Sequence, residues 1–229
     1  MRDRARPPPR GLLETRPHAV PALRGSLTYV RFFVQGALPD DFRERFMRSI
    51  RHRVMRPLEA EDEDLERSGW CLIGDPYGLE LSYDEVFYAG FVNLGLRTDR
   101  WQIPGSSLRA AMKDAEKAYL AKKGRERLSR RERTELKELV SRKLRRQMTP
   151  QTRMADVSWA LDEGLVRFFS HSPKSAAQLT EVFGKTFGTH GLTLVPESPW
   201  TLAERLGVTK AQAAAWNDLE VTLLASEGE

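Results

Sequence analysis

Charge is segregated along this chain, and that segregation limits the fold more than any other feature. Between Arg109 and Arg146 there are fifteen Lys and Arg against six Asp and Glu, a net of +9 that exceeds the +5 of the whole 229-residue protein. Unpaired charges are too costly to bury, so this stretch must lie on the surface and the core must come from the segments flanking it. Residues 1–31 add seven Arg against Asp3 and Glu14, which leaves the remainder of the chain at −9. With 40% hydrophobic and 30% charged residues, the chain is long enough for one large domain or two small ones, each with a packed core under a heavily solvated surface.

The flanking segments carry clear periodicities. SLTYVRFFV, Ser26 to Val34, is dense in β-branched and aromatic residues and predicts a mostly buried strand, which Gly36 and Pro39 then break. Asp40 is a candidate cap for a helix whose Phe42, Phe46, Ile50 and Val54 recur every four residues, with Arg43, Arg45, Arg48 and Arg51 on other faces. EAEDEDLE, Glu59 to Glu66, lacks the glycine-centred loop of a calcium site and reads as a solvated connector. Gly69 to Leu72 returns to packed structure, with Trp70 in the core. VFYAGFVNLGL, Val86 to Leu96, predicts a second strand with a bend or bulge at Gly90 and Gly95, extended through Ile103.

After Pro104 the period becomes helical. Ser106 or Ser107 can cap a helix carrying Leu108, Met112, Ala115 and Tyr119 up to about Lys123, and Gly124 interrupts it. Ser129 with Glu132 forms a capping-box pattern opening a second helix, striped by Leu136, Leu139 or Val140, and Leu144. Asp156–Leu161 and Leu165–Ser170 read as strands joined by a turn at Asp162, Glu163 and Gly164. A helix over Ser175 to Phe187 and a short strand over Gly191 to Val195 follow. The fold class is therefore α+β, a sheet with packed helices and a protruding basic helix pair. Three regions result: a disordered Arg/Pro-rich arm over 1–25, an α+β region over 26–199, and short C-terminal helices and a tail over 200–229.

The basic helix pair is the main functional signal. Lys122, Lys123, Arg125, Arg127, Arg130, Arg131, Arg133, Arg142, Lys143, Arg145 and Arg146 are the candidate phosphate-binding residues, dominated by arginine, whose planar fork suits phosphate oxygens. Glu126, Glu132, Glu135 and Glu138 can form i,i+4 pairs, as on an ordinary solvated helix, but four acids cannot balance so many cations. Such a surface predicts salt-sensitive polyanion binding with little base preference.

A competing pattern is TLAERLGVTKAQAAAW, residues 201–216, which has the small residue and turn of a helix-turn-helix and would imply a sequence-specific regulator using residues 200–217. Lys210 is the one basic residue in its would-be recognition helix, so a pair of short helices packed through Leu202, Leu206 and Trp216 is the simpler expectation. A third possibility is a protein-interaction module whose basic face docks an acidic partner. Nothing indicates catalysis, a cofactor or a metal site: His18, His52, His171 and His190 are isolated, the glycines form no phosphate loop, and Cys71 between Trp70 and Leu72 reads as a buried thiol. One cysteine, no long apolar run and no secretory leader predict a cytoplasmic protein without a membrane segment.

The order of features resembles the RdgC family of recombination-associated proteins. The resemblance runs from about Leu27 to Pro199 and rests on SGW at Ser68 to Trp70, LRTDRWQIPGSSLRAAM with Arg97 and Pro104, SRRERTELKELV, and VSWALDEGLVRFFSHSPKSAAQL. It implies a non-enzymatic, nucleoid-associated protein that binds DNA, duplex in preference, as a ring-shaped homodimer with a positive interior, and that restrains recombinase filaments. The chain departs from the pattern in lacking roughly the family's last third, in its added Arg/Pro arm, and in offering no match around Met148 to Met154 to the aromatic residue of the family's subunit contact.

Overall fold

A computed structural model describes residues 28–217. The Arg/Pro-rich arm and the last residues of the tail lie outside the described part. The framework is a seven-stranded sheet, antiparallel throughout: β1 (Val30–Gln35), β2 (Glu66–Cys71), β3 (Phe87–Tyr88), β4 (Phe91–Arg100), β5 (Gln151–Ala160), β6 (Leu165–Phe168) and β7 (Thr193–Pro196). The order across it is β2-β4-β5-β6-β1-β7, with β3 folded back on β4. Two helices, α1 (Phe42–His52) and α5 (Pro173–Phe187), cover one face, and the short α2 (Tyr83–Val86) precedes β3. This is the expected α+β arrangement.

Alternation along the strands decides what each face buries. Val92, Leu94 and Leu96 of β4, with Val157 and Trp159 of β5 and Val166 and Phe168 of β6, point to the helices. There Phe46 of α1 meets Trp159, Phe183 and Phe187 in an aromatic cluster with neighbouring ring centroids 4.7 to 5.6 Å apart. Trp70 is fully buried, as expected, and its indole N–H donates to Thr186 Oγ1 at 2.8 Å. The opposite face of β4 carries Arg97 and Asp99 beside Cys71 and Asp156 and is roofed by the segment following β2.

Several boundaries differ from expectation for local physical reasons. The predicted strand from Val86 breaks at Ala89 and Gly90, both at positive φ (48° and 84°), which form a two-residue hairpin turn between β3 and β4. Gly95 makes no bulge, since β4 and β5 stay in continuous register from Phe91 with Ala160 to Arg100 with Gln151. Its missing side chain instead makes room for its neighbours, because a Cβ there would lie 2.7 Å from Cys71 Sγ. The N-cap of α1 is Asp41 rather than Asp40, and the Asp41 carboxylate is held by Arg45 at 2.7 Å, which keeps it below the usual aspartate range. Val54 leaves the helix and pairs with Trp70, shielding part of the β2 edge. β5 starts at Gln151, α5 at Pro173 after the Ser172 cap, and β7 runs over Thr193–Pro196.

Candidate nucleic-acid interface

The basic segment is the connection between the neighbouring strands β4 and β5, built out into a helical hairpin of α3 (Gly105–Lys123) and α4 (Arg130–Arg145). Pro104, with φ −57°, occupies the N-cap of α3, so Ser106 and Ser107 fall inside the first turn instead of capping it. At the far end Gly124 takes the left-handed conformation, φ 62°, that ends the helix. The Ser129–Glu132 capping box forms as its spacing predicts. Glu132 also accepts from Tyr119 Oη at 3.1 Å and Arg125 at 3.4 Å, so one carboxylate ties α3, the turn and α4 together. The Ser129 backbone N–H, foremost among these donors, holds Glu132 below its ordinary range, and the hydrogen bond that Tyr119 donates to Glu132 pushes its own phenol up.

The two helices pack chiefly on each other. α3 buries no residue completely, while α4 buries Val140 and Arg145. The stripe on α4 therefore runs through Leu136, Val140 and Leu144, and Leu139 is 61% exposed. With 19 and 16 residues in the helices, the arm can reach about 25 Å at 1.5 Å per residue. Its apolar seam fixes the hairpin and leaves most cations in solvent.

Those cations fall into three groups. Lys122, Lys123, Arg125 and Arg127 are exposed around the tip, where Arg125 reaches Glu132. Arg130 and Arg133 line a groove of about 570 Å³ between the helices, together with Arg109, Lys113 and Lys137; the one carboxylate in it, Glu116, is bonded by Arg133 at 3.0 Å. Arg131 is paired along its own helix with Glu135 at 2.9 Å.

The third group lies at the base, and here the expectation needs correcting. Arg145 is 6% exposed, and its guanidinium donates to the Asp62 carbonyl at 3.0 Å, so it is withdrawn from the surface; Arg146 pairs with Glu61 at 2.8 Å. The acidic connector is thus the counter-charge of the arm's base as well as a solvated loop. Arg146 keeps Glu61 below its normal range, and the Glu59 backbone N–H does the same for Asp62. Arg142 and Lys143 remain exposed without a carboxylate within 4.0 Å among the described residues.

No family model matches the chain, and no curated protein matches it in sequence. Arg109, Lys113 and Lys137 are groove-lining cations that arginine density alone missed. Spacing held the clue, because Arg130, Arg133 and Lys137 recur at i, i+3 and i+7 and Arg109 and Lys113 at i and i+4. Only the pairing of α3 with α4 puts the two rows beside one groove.

The C-terminal pattern forms two short helices, α6 (Pro199–Arg205) and α7 (Lys210–Asn217). Leu206, expected between them, is 77% exposed, and the Trp216 side chain lies outside the described residues. α6 is held to the sheet by buried Ala203 and by Arg205, which stacks over the Phe33 ring at 4.5 Å and donates to the Glu163 carbonyl at 2.6 Å. Among the described residues, no helix is long and apolar enough to cross a membrane.

Proposed function

We propose that this protein binds DNA without catalysing a reaction, holding the phosphate backbone with the α3–α4 hairpin and reading little or no sequence. One observation carries the proposal: five cationic side chains from two helices line one groove whose single carboxylate is already neutralised. Phosphates entering such a groove displace only counterions and water, which favours binding and makes it salt-dependent. Arginine and lysine on an exposed arm position a backbone and carry no base code.

Duplex is favoured over single strand. Proteins that hold single strands stack bases on aromatic rings, and the sole aromatic residue of the hairpin, Tyr119, is half-buried with its hydroxyl bonded to Glu132. The resemblance to RdgC proteins supports the wider reading: a homodimer that coats or encircles duplex DNA in recombination or replication, associates with the nucleoid and acts on recombinase filaments.

Competition among one duplex, a scrambled duplex and a single strand at equal salt tests this reading. Equal competition by both duplexes, and weaker competition by the single strand, is the expected result. Preference for one duplex would instead assign recognition to residues 200–217, and no affinity for any nucleic acid would favour docking of an acidic protein.

A further inference from the structure

A second cationic surface lies outside the hairpin. Arg48 and Arg51 of α1, with Arg53 and Arg56 just beyond it, are all exposed, and none has a carboxylate within 4.0 Å among the described residues. Their neighbours are accounted for differently: Arg45 is paired with Asp41, and Arg43 lies over the Phe42 ring at 5.7 Å. Glu44 stands one turn before Arg48 without reaching it. Cations in a last helical turn favour the helix dipole, which explains Arg51 and His52, the basic residues of the last turn of α1. That effect fades within a turn and does not account for Arg48, Arg53 and Arg56 together.

Beside these arginines runs a groove of about 620 Å³ between the end of α1, β2 and α5, lined by His52, Arg53 and Arg56. Its acids are occupied. Glu66 accepts from Lys174 at 2.5 Å and from Gln178, Glu181 accepts from Lys185, and Asp64 accepts from Arg67 at 3.0 Å. The groove therefore offers two guanidinium groups, those of Arg53 and Arg56, with no carboxylate within 4.0 Å among the described residues. The two surfaces sit on different elements, one on the helical layer over the sheet and the other on the arm between β4 and β5.

We infer that the Arg48–Arg56 surface is a second binding site for a nucleic-acid phosphate backbone, so that one chain can hold two duplex segments at once. This inference rests on the DNA-binding reading of the hairpin. Arginine is the residue suited to forked contact with phosphate oxygens, and the surface offers four within nine residues.

The test uses the full chain and a duplex of about one helical turn. Titration under tight-binding conditions is expected to give two duplexes per chain for the unaltered protein. The variant Arg48→Gln, Arg51→Gln, Arg53→Gln, Arg56→Gln is expected to take one, with the affinity of the first duplex changed by about twofold or less. Arginine modification by phenylglyoxal on the unaltered protein gives a second reading that needs no variant: excess duplex should protect Arg48, Arg51, Arg53 and Arg56. One duplex per chain without that protection, or two per chain in the variant, overturns the inference and leaves the hairpin reading standing. No duplex binding by the unaltered protein overturns both. Binding of polyglutamate at this surface, in place of duplex at the same salt, overturns the inference in favour of an acidic protein partner.

Discussion

Arg97 and Asp99 stand two positions apart on β4, share the sheet face turned away from the helices, and form a doubly hydrogen-bonded ion pair shut off from solvent. The two contacts are 2.8 and 2.6 Å, and the residues are 4% and 0% exposed. The pair is fully served by its surroundings. Thr152 Oγ1 donates to Asp99 at 2.8 Å, Arg97 donates to the Pro76 carbonyl at 3.0 Å, and Tyr77 lies against the guanidinium at 5.0 Å. It locks β4 to β5 and to the loop after β2, close to where the hairpin leaves the sheet. Asp99→Asn strands a buried cation and should cost about 3–5 kcal/mol in urea unfolding. Replacing both residues with apolar ones of similar volume should recover much of that loss.

Cys71 should be inert in the folded protein. It is fully buried, its thiol donates to the Gly95 carbonyl at 3.4 Å, and burial pushes its pKa up to about 12. Labelling by a thiol reagent at mildly alkaline pH should proceed only as fast as the protein opens, and accelerate sharply in denaturant. Rapid stoichiometric labelling of the native protein would contradict this placement.

Asp156 should make stability fall as pH rises. One of its oxygens accepts from the Gly74 N–H at 3.0 Å, the other has no partner, and burial raises its pKa above the ordinary 3.8. Below that value both folded and unfolded chains hold the proton and the residue is neutral to folding. Above it the unfolded chain releases the proton first, so ionisation favours unfolding. Asp156→Asn should match the unaltered protein in strong acid and melt progressively higher than it as pH rises toward neutrality. A constant difference across that range would refute the assignment.

Glu61→Gln should release Arg146 from its surface partner. Both side chains are more than half exposed, so thermal stability should hardly change. Duplex affinity should rise modestly, about twofold, because one cation is freed and one carboxylate removed. Reduced affinity would mean that the clamp between connector and arm is needed to present the hairpin.

Much of the fold was legible because its signals are local. Phe46 and Ile50 at helical spacing, the apolar strand around Phe32, the Ser129–Glu132 box and the Asp162–Gly164 turn each need only near neighbours to be read. What escaped depends on distant pairing. Gly95 looks like a bulge until Cys71 is placed against it, and Arg145 looks like a solvent-facing cation until Asp62 is brought beside it from 83 positions away. The groove was half legible for the same reason: its arginines stood out in the sequence, whereas Arg109, Lys113 and Lys137 join it only through the packing of α3 on α4.

The claim that the hairpin holds phosphates is tested most directly by the salt dependence of duplex binding, measured for the unaltered protein and for a variant with Arg109, Arg130, Arg133 and Lys137 changed to Gln. Four phosphate contacts correspond to a slope of about −4 in log K against log salt. The account predicts at least that slope for the unaltered protein and a clearly shallower one, with much weaker binding, for the variant. An equally steep slope in both would contradict it.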